Sequence, residues 1–431
     1  DNALAISRYI LAMKSELNLS DNTRASIIKI LTKLSRSSCD ITRVDVKYSN
    51  SSDLGFSVPN NQKRFEQISR EDIIQCLDSL RKKENEDPLH KWIGTYNLYR
   101  IHIIKFFKWF YSPDIPHKAR PKPSSIENVP QLKRKEQSIY KPSDLWTEED
   151  DLLFFKYCPN KRDRCYHAIS KDTAARPHEI LKVKIKTLSF KTAGNYQYAE
   201  ILVNGKTGSR TLPLINSIPY VKDWLDEHPQ RANPNAPLIC GAGKSLGRPI
   251  KPETIWYIYT RYKSEVFPKL LEDPNVPQED KRIIMNLLNK PWNPYIRRHS
   301  ALTEKSTILK EHTLRQHAGW SIRSRMPEKY LHYYGNESNE SILEAYGILT
   351  KDKQLVDKLK PKQCPNCNEP NKPDSKFCAK CRMVLTYDAY SETVEEKQEK
   401  DTQIVELIKR QEEMEKKFQL IFAKIDGGKL S

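Results

Sequence analysis

Nowhere in the 431 residues does an apolar run approach the roughly 18 that a membrane-crossing helix needs, so no bilayer span is expected. The opening stretch, DNALAISRYILAMKSE, lacks the basic-then-apolar order of a secretory leader. It also starts without methionine, as expected of a chain whose own start lies upstream. Cysteine is thin over most of the length. Of nine, Cys39, Cys76, Cys158, Cys165 and Cys240 are scattered, and only Cys364, Cys367, Cys378 and Cys381 sit together. That is not the framework of a disulfide-stapled secreted domain, and it points to a reducing compartment. The Asn-Glu-Ser sequons at Asn336 and Asn339 then read as chance. No self-similarity recurs at periods of about 20 to 50 residues, which excludes solenoids and propellers. No knot of carboxylates offers itself to two-metal phosphoryl chemistry. Acidic residues are also short: 55 Asp and Glu face 73 Lys and Arg, a net charge of +18. Such an excess predicts attraction to a polyanion, nucleic acid first and an anionic membrane surface second, against the plain alternative of a basic protein with neither partner.

What is present falls into several bodies, as a chain too long for one core should. Residues 1–111 read as helical: SDNTRASIIKILTKLSR opens on a Ser20 or Asp21 cap and is expected to set Ile27, Ile28, Ile30, Leu31 and Leu34 on one stripe. WIGTYNLYRIHIIKFFKWFY is a second helix carrying Arg100, Lys105 and Lys108. Residues 112–145, rich in Pro, Lys and Arg and without periodicity, read as an extended basic linker that could lie along phosphates. A further domain, residues 146–347, starts at the Thr147 cap of a helix with an acidic first turn. It passes through a short strand near TLSF and two strands joined by the NGKTG hairpin, and continues mainly as helix. A cysteine module at 362–384 and a charged, periodic helix at 394–425 follow.

Four short stretches carry candidate chemistry. In AARPHEI, Pro177 suits a first helical turn and sets Arg176 at the helix entrance, where backbone amides and a guanidinium make an anion site. Glu179 would orient that arginine, or the two form an ordinary surface pair. In NGKTGSRTLPL, Lys206 sits at a hairpin tip, reaching into a groove or simply solvated. In NPYIRRHS, Tyr295 and Arg298 share a helix face, while Arg297 and His299 point elsewhere. In RQHAGWSIRSRMPEKYLHYYG, Gly319 ends one helix and Pro327 begins a short one carrying Tyr330, with Trp320 and His317 as nearby donors. Taken alone, any of Tyr330, Tyr333 and Tyr334 is either packing or a reactive phenol.

Their order is more specific than any one of them. Arg in A-R-P-x-E-I, Lys in a β-turn, x-x-R-H-S, G-W-S and Tyr in Y-x-H resembles the tyrosine recombinases, nearest to archaeal and phage integrases, over about residues 146 to 347. The helical domain and basic linker ahead of it fit the same layout. The resemblance implies a mainly α, multidomain chain: a helical core-binding domain, then an α+β catalytic domain with a small antiparallel sheet. It implies Arg176 and Arg298 as catalytic arginines, Lys206 as the catalytic lysine and Tyr330 as the nucleophile. Tyr295 stands where many members have His, Trp320 where many have a second His, His317 is the alternative donor, and Glu179 and His299 are supporting residues. It further implies strand exchange through a 3′-phosphotyrosyl link without catalytic metal or ATP, double-stranded DNA as partner, a homotetramer on paired sites, and a nucleoid-associated place in the cytoplasm. A type IB topoisomerase-like nicking-closing enzyme and a catalytically silent zinc-ribbon DNA-binding protein are the alternatives. The joint presence of Arg176, Lys206, Arg298 and Tyr330 argues against the silent one.

Physical chemistry agrees. Forked guanidiniums suit the charge that builds on a phosphodiester's non-bridging oxygens, and a phenol of pKa near 10 must lose its proton to attack. CPNCNEPNKPDSKFCAKC places four thiolates in two close pairs, the donor set of a structural zinc ribbon, with iron or bare thiols as lesser readings. Four cysteines close the coordination shell, so that metal is not expected to be catalytic. Beyond it Ile404, Leu407, Gln411, Met414, Phe418, Ile421 and Ile425 alternate spacings of three and four, a heptad seam for self-association or else a single helix packed on its own chain.

Overall fold

A computed structural model describes residues 1–37, 63–134, 140–194, 196–205, 207–331 and 357–427. The chain divides into two compact units, Asp1–Ile139 and Tyr140–Ser431. It is mainly helical with a small antiparallel sheet, as expected, and no helix among the described residues is long and apolar enough to cross a membrane.

The first unit is built on helices α1 (Asn2–Leu17), α2 (Asp21–Ser37), α3 (Arg70–Asp78) and α4 (Trp92–Tyr111). Local signals set their starts: the Asp1 carboxylate accepts from the Ala3 N–H, and Ser69 and Asp72 form a reciprocal capping box on α3. Of the stripe expected on α2, Ile27, Ile30, Leu31 and Leu34 are buried, whereas Ile28 is left exposed. α4 turns Trp92, Tyr96, Tyr99, Ile103, Phe106 and Phe107 inward at spacings of three and four. Phe106 meets Tyr9 at 5.2 Å and Phe65 at 4.6 Å between ring centroids, both edge-on.

Much of the stretch expected to be an extended linker is packed on this unit. Arg120 is buried and donates to Glu16 and to the Ser112 and Pro113 carbonyls. Ile126 and Val129 lie in the core, and Arg70 and Arg100 hold the Glu127, Asn128 and Val129 carbonyls. Two apolar residues three apart anchor a segment whose composition otherwise looks like open chain.

The second unit opens with α5 (Glu148–Tyr157), α6 (Lys161–Thr173) and the single turn α7 (Pro177–Ile180). Strands β1 (Leu188–Ala193), β2 (Tyr196–Gly205) and β3 (Gly208–Leu214) form an antiparallel sheet in that order, and Gly205 pairs with Gly208 across the hairpin. Then come α8 (Ile218–Asp226), α9 (Pro252–Arg261), a π-helical turn at Tyr262–Val266, α10 (Phe267–Glu272), α11 (Gln278–Asn289), α12 (Pro294–Ile308), α13 (Glu311–Ala318) and α14 (Glu328–Leu331). α6 is buried along most of its length and packs on α12 and α8. Ala199, Ile201, Val203, Leu212 and Leu214 are buried, so the sheet gives the core one face at period two.

Behind α12, Asp151 is fully enclosed and accepts from His167, Lys171 and Arg297 at 2.9, 3.3 and 3.1 Å. Arg297 therefore points into the core, as its position on the helix implies, and leaves Arg298 to face the other way.

The short strands β4 (Lys362–Gln363) and β5 (Pro370–Asn371) carry the cysteine module, which is riveted to α8 through Lys222–Glu369 and Lys372–Asp223 ion pairs. The last helix, α15 (Tyr387–Gly427), buries Ala389 near its start, while Ile404, Leu407, Met414 and Phe418 are exposed.

Candidate active site

One helix end organises the site. α13 stops at Gly319, whose φ of 65° is the left-handed region that glycine enters freely. The last carbonyls of a helix have no partner within it and carry the negative end of its dipole. Here three consecutive ones each take an arginine. The His317 carbonyl accepts from Arg210 Nε at 2.9 Å, Ala318 from Arg298 Nη2 at 2.9 Å, and Gly319 from Arg176 Nη2 at 3.4 Å. Thr207, on the hairpin between β2 and β3, donates to the same Gly319 oxygen at 3.1 Å. A side chain at Gly319 would also strike Arg210: a Cβ there would lie 2.6 Å from Nη1.

The arginines arrive by different routes. Arg176 caps the N-terminus of α7, where Pro177 fixes the first turn. Arg210 is a strand residue. Arg298 lies on α12, whose start is set by Pro294 and by Asn293 accepting from the Tyr295 and Ile296 N–H groups. Arg298 is buried and donates also to the Ala174 carbonyl.

Glu179 is the counter-charge. It is fully buried, so the pair with Arg176 is no surface pair: Arg176 Nη1 donates at 2.9 Å, the Arg176 backbone N–H at 3.0 Å and Arg210 Nη2 at 2.8 Å. Burial alone would raise its pKa, but those donors win and hold the carboxyl down at about 2. Gly205 is required at the hairpin because a Cβ there would lie on Glu179 Oε1. Arg298 is pushed down to about 10 by burial and by the Arg176 and Arg210 charges, against an upward pull from Tyr330 and Glu179. Three guanidiniums set against one carboxylate leave a net positive site, still charged at neutral pH and suited to an anion with several oxygens.

Tyr330, on α14, is 2% exposed and is the phenol at this site. Its ring lies between His299 and Trp320, with centroids 5.5 and 5.4 Å away and planes within 24° and 23°. Its hydroxyl lies 2.9 Å from His299 Nδ1. The Tyr140 ring also meets His299, at 4.9 Å, and the Tyr140 hydroxyl donates to Asn293 Oδ1 at 3.2 Å.

These positions refine the reading of NPYIRRHS. His299 does not point away from the chemistry, because the tyrosine approaches from α14 and meets the helix beside Arg298. Tyr295, on the Arg298 face one turn earlier, is 48% exposed and has its backbone N–H held by Asn293. Trp320 offers Tyr330 its ring face. His317 contributes its carbonyl; burial, then Lys305, Arg210 and Arg298, push its ring down to about 3, so it is neutral at ordinary pH. Lys206, Tyr333 and Tyr334 lie outside the described residues.

Sequence reading passed over Arg210, though a signal was present. Arg210, Leu212 and Leu214 fall at period two on one strand. An arginine in line with two buried leucines has to find a buried partner. Beside it an open hollow of about 530 Å3 is lined by Thr207, Arg210, Thr313, Gln316, His317 and Trp320.

Apart from this site, the Sγ atoms of Cys364, Cys367, Cys378 and Cys381 lie within 4.8 Å of one another, with closest pairs at 3.5 and 3.6 Å. A tetrahedron of about 2.3 Å metal–sulfur bonds has edges of about 3.8 Å, so the donor set fits zinc. Each Cys-x-x-Cys turn closes alike. Asn368 and Arg382 take positive φ, 55° and 63°, and their N–H groups donate to the Cys364 and Cys378 carbonyls. A strong chelator should release one zinc per chain and expose four thiols to a colorimetric thiol reagent. Four unreactive thiols in metal-free protein would refute a metal-held module.

No protein-family model matches the chain, and no curated protein matches it in sequence. In structure it is similar to a lambda integrase dimer bound to a COC′ core site, at 12% identity over 78% of this chain and 78% of that one, TM-score 0.46. It is likewise similar to the Tn1549 transposon integrase in complex with transposon right end DNA, at 12% identity over 80% and 99%, TM-score 0.47. Similarity to the XerH site-specific recombinase bound to palindromic difH substrate is at 16% identity over 65% and 74%, TM-score 0.44. These names, integrases and a site-specific recombinase, are of the class that the motif order in the sequence resembles.

Proposed function

We propose that the chain is a site-specific DNA recombinase that cuts and rejoins strands through a covalent link between Tyr330 and a 3′ phosphate. The observation that carries this reading is a buried tyrosine hydroxyl beside a helix end that gathers Arg176, Arg210 and Arg298. A phosphodiester carries one negative charge and gathers more on its non-bridging oxygens as the nucleophile arrives. Arg176 and Arg298 bind those oxygens, and preorganised cations of this kind act most strongly where charge develops. Tyr330 Oη attacks phosphorus, the bond to the 5′ oxygen breaks, and Lys206 supplies that oxygen with a proton. The phosphotyrosyl bond keeps the energy of the broken link for religation to another strand. In this reading four chains act together on paired sites, and the exposed apolar positions of α15 help to hold them.

The test is to offer the full chain a duplex nicked beside the cut site, so that the short cleaved strand diffuses away and the adduct accumulates. Digestion and mass spectrometry of the adduct should find the nucleotide on Tyr330. A label on Tyr333 or Tyr334, or no denaturation-resistant adduct on any duplex bearing the chain's own target site, counts against the reading.

The first unit offers a surface for the DNA backbone. A hollow of about 340 Å3 is lined by Arg100, Lys105, Lys108, His117, Lys118 and Arg120. Log affinity for duplex should then fall steeply with log salt, by about 0.9 per phosphate neutralised. Replacing Lys105, Lys108 and Lys118 together with alanine should flatten that slope by about three contacts' worth on the same relation. An unchanged slope would move the backbone contacts elsewhere.

A further inference from the structure

Attack by Tyr330 needs somewhere for the phenol proton to go, and the arginines cannot take it, since guanidinium has no acceptor. Tyr295 is half exposed on the first turn of α12, and the hydrogen bond that His317 gives this helix end is through its carbonyl, which accepts from Arg210. Trp320 presents a ring face and has only an N–H to give. His299 is different in kind: its Nδ1 is at hydrogen-bond distance from the hydroxyl, 2.9 Å. We infer that His299 is the general base of strand cleavage, taking the Tyr330 proton on Nδ1 and returning it on religation.

This rests on the assignment of Tyr330 as nucleophile. The geometry supplies the further step. For Nδ1 to accept, the ring proton must sit on Nε2. The Tyr330 O–H bond breaks and its proton passes to Nδ1, making imidazolium. The phenolate pair then forms the bond to phosphorus, and the bond from phosphorus to the 5′ oxygen breaks with a proton from Lys206. The ring is fixed for this work. Tyr330 stacks on the imidazole, Trp320 stacks on Tyr330, and the Tyr140 ring meets the imidazole at 4.9 Å with its plane tilted by 59°. The same Asn293 that starts α12 accepts from the Tyr140 hydroxyl, which ties Tyr140 to the helix bearing Arg298 and His299. Among the described contacts, the imidazole meets the Tyr330 phenol from α14 and the Tyr140 ring from the segment before α5, and Arg298 precedes it on α12. The Arg298 charge interacts favourably with a Tyr330 phenolate once the proton has moved.

The imidazole accepts only when unprotonated, so adduct formation by the full chain should fall away as pH drops through the histidine range, around 6.5 for an unperturbed group. The experiment is single-turnover adduct formation on a nicked duplex across pH, for the native chain, His299→Gln and His299→Ala. A positioned general base contributes roughly a hundredfold or more. His299→Gln, which keeps a hydrogen-bonding side chain, should be slower by about that factor, bind duplex as before and lose the acid limb of the profile. Added imidazole should restore His299→Ala in proportion to its free-base concentration. A His299→Gln chain that reacts at the native rate overturns the inference. So does a slowed variant that keeps the acid limb and ignores imidazole, since His299 would then only be holding the ring. Failure of the nucleophile assignment is separately visible, because Tyr330→Phe would then still form the adduct.

Discussion

The Tyr330→Phe chain should form no denaturation-resistant adduct with a nicked duplex, while its affinity for the same duplex stays close to that of the native chain. The substitution removes one oxygen and leaves the ring. Stacking on His299 and Trp320 depends on the ring and is retained. The lost bond to His299 Nδ1 costs about 1 kcal/mol of stability at most sites, too little to unfold a domain. Folding and binding should therefore survive and chemistry should not. A denaturing gel, a binding titration and a thermal melt on one preparation separate the three. A covalent band from Tyr330→Phe would transfer the role to another hydroxyl.

Arg298→Ala should slow adduct formation by roughly a hundred to a thousandfold, the usual loss when one preorganised donor is taken from a developing oxyanion. The side chain spans two carbonyls, Ala174 and Ala318, which belong to different segments. Its removal leaves both buried oxygens short of a donor, so some stability goes as well. Arg298→Lys separates the two effects: it keeps the charge and loses the fork, so binding should recover more than rate. A lysine variant as fast as the native chain would mean that only charge matters at this position.

The architecture was legible where local rules suffice. The Thr147 cap, the Gly205–Gly208 hairpin and the two Cys-x-x-Cys turns follow from residue types at fixed offsets. The order of Arg176, Arg298 and Tyr330 along the chain gave the candidate site, and they do meet at one place. What escaped depends on elements distant in sequence. His299 looked wrong because a helix wheel ranks residues by face, whereas the position of Tyr330 depends on α14. Arg210 was overlooked because a charged strand residue next to a turn reads as solvated, although its alternation with Leu212 and Leu214 said otherwise. Ile126 and Val129 were masked by the prolines and lysines around them. The Lys222–Glu369 and Lys372–Asp223 pairs join residues 147 and 149 positions apart in the chain, and no local pattern marks them.

The end of α13 also limits how this chain can vary. A helix advances about 100° per residue, so one residue inserted or deleted between Glu311 and Ala318 would swing its last carbonyls by nearly a third of a turn relative to the elements that carry Arg176, Arg210 and Arg298. Those arginines come from an αturn, a strand and another helix, and none can follow the rotation. Point substitutions on the outer face of α13 leave the carbonyl positions alone. Related chains should therefore differ freely in the side chains of this helix and scarcely at all in its length.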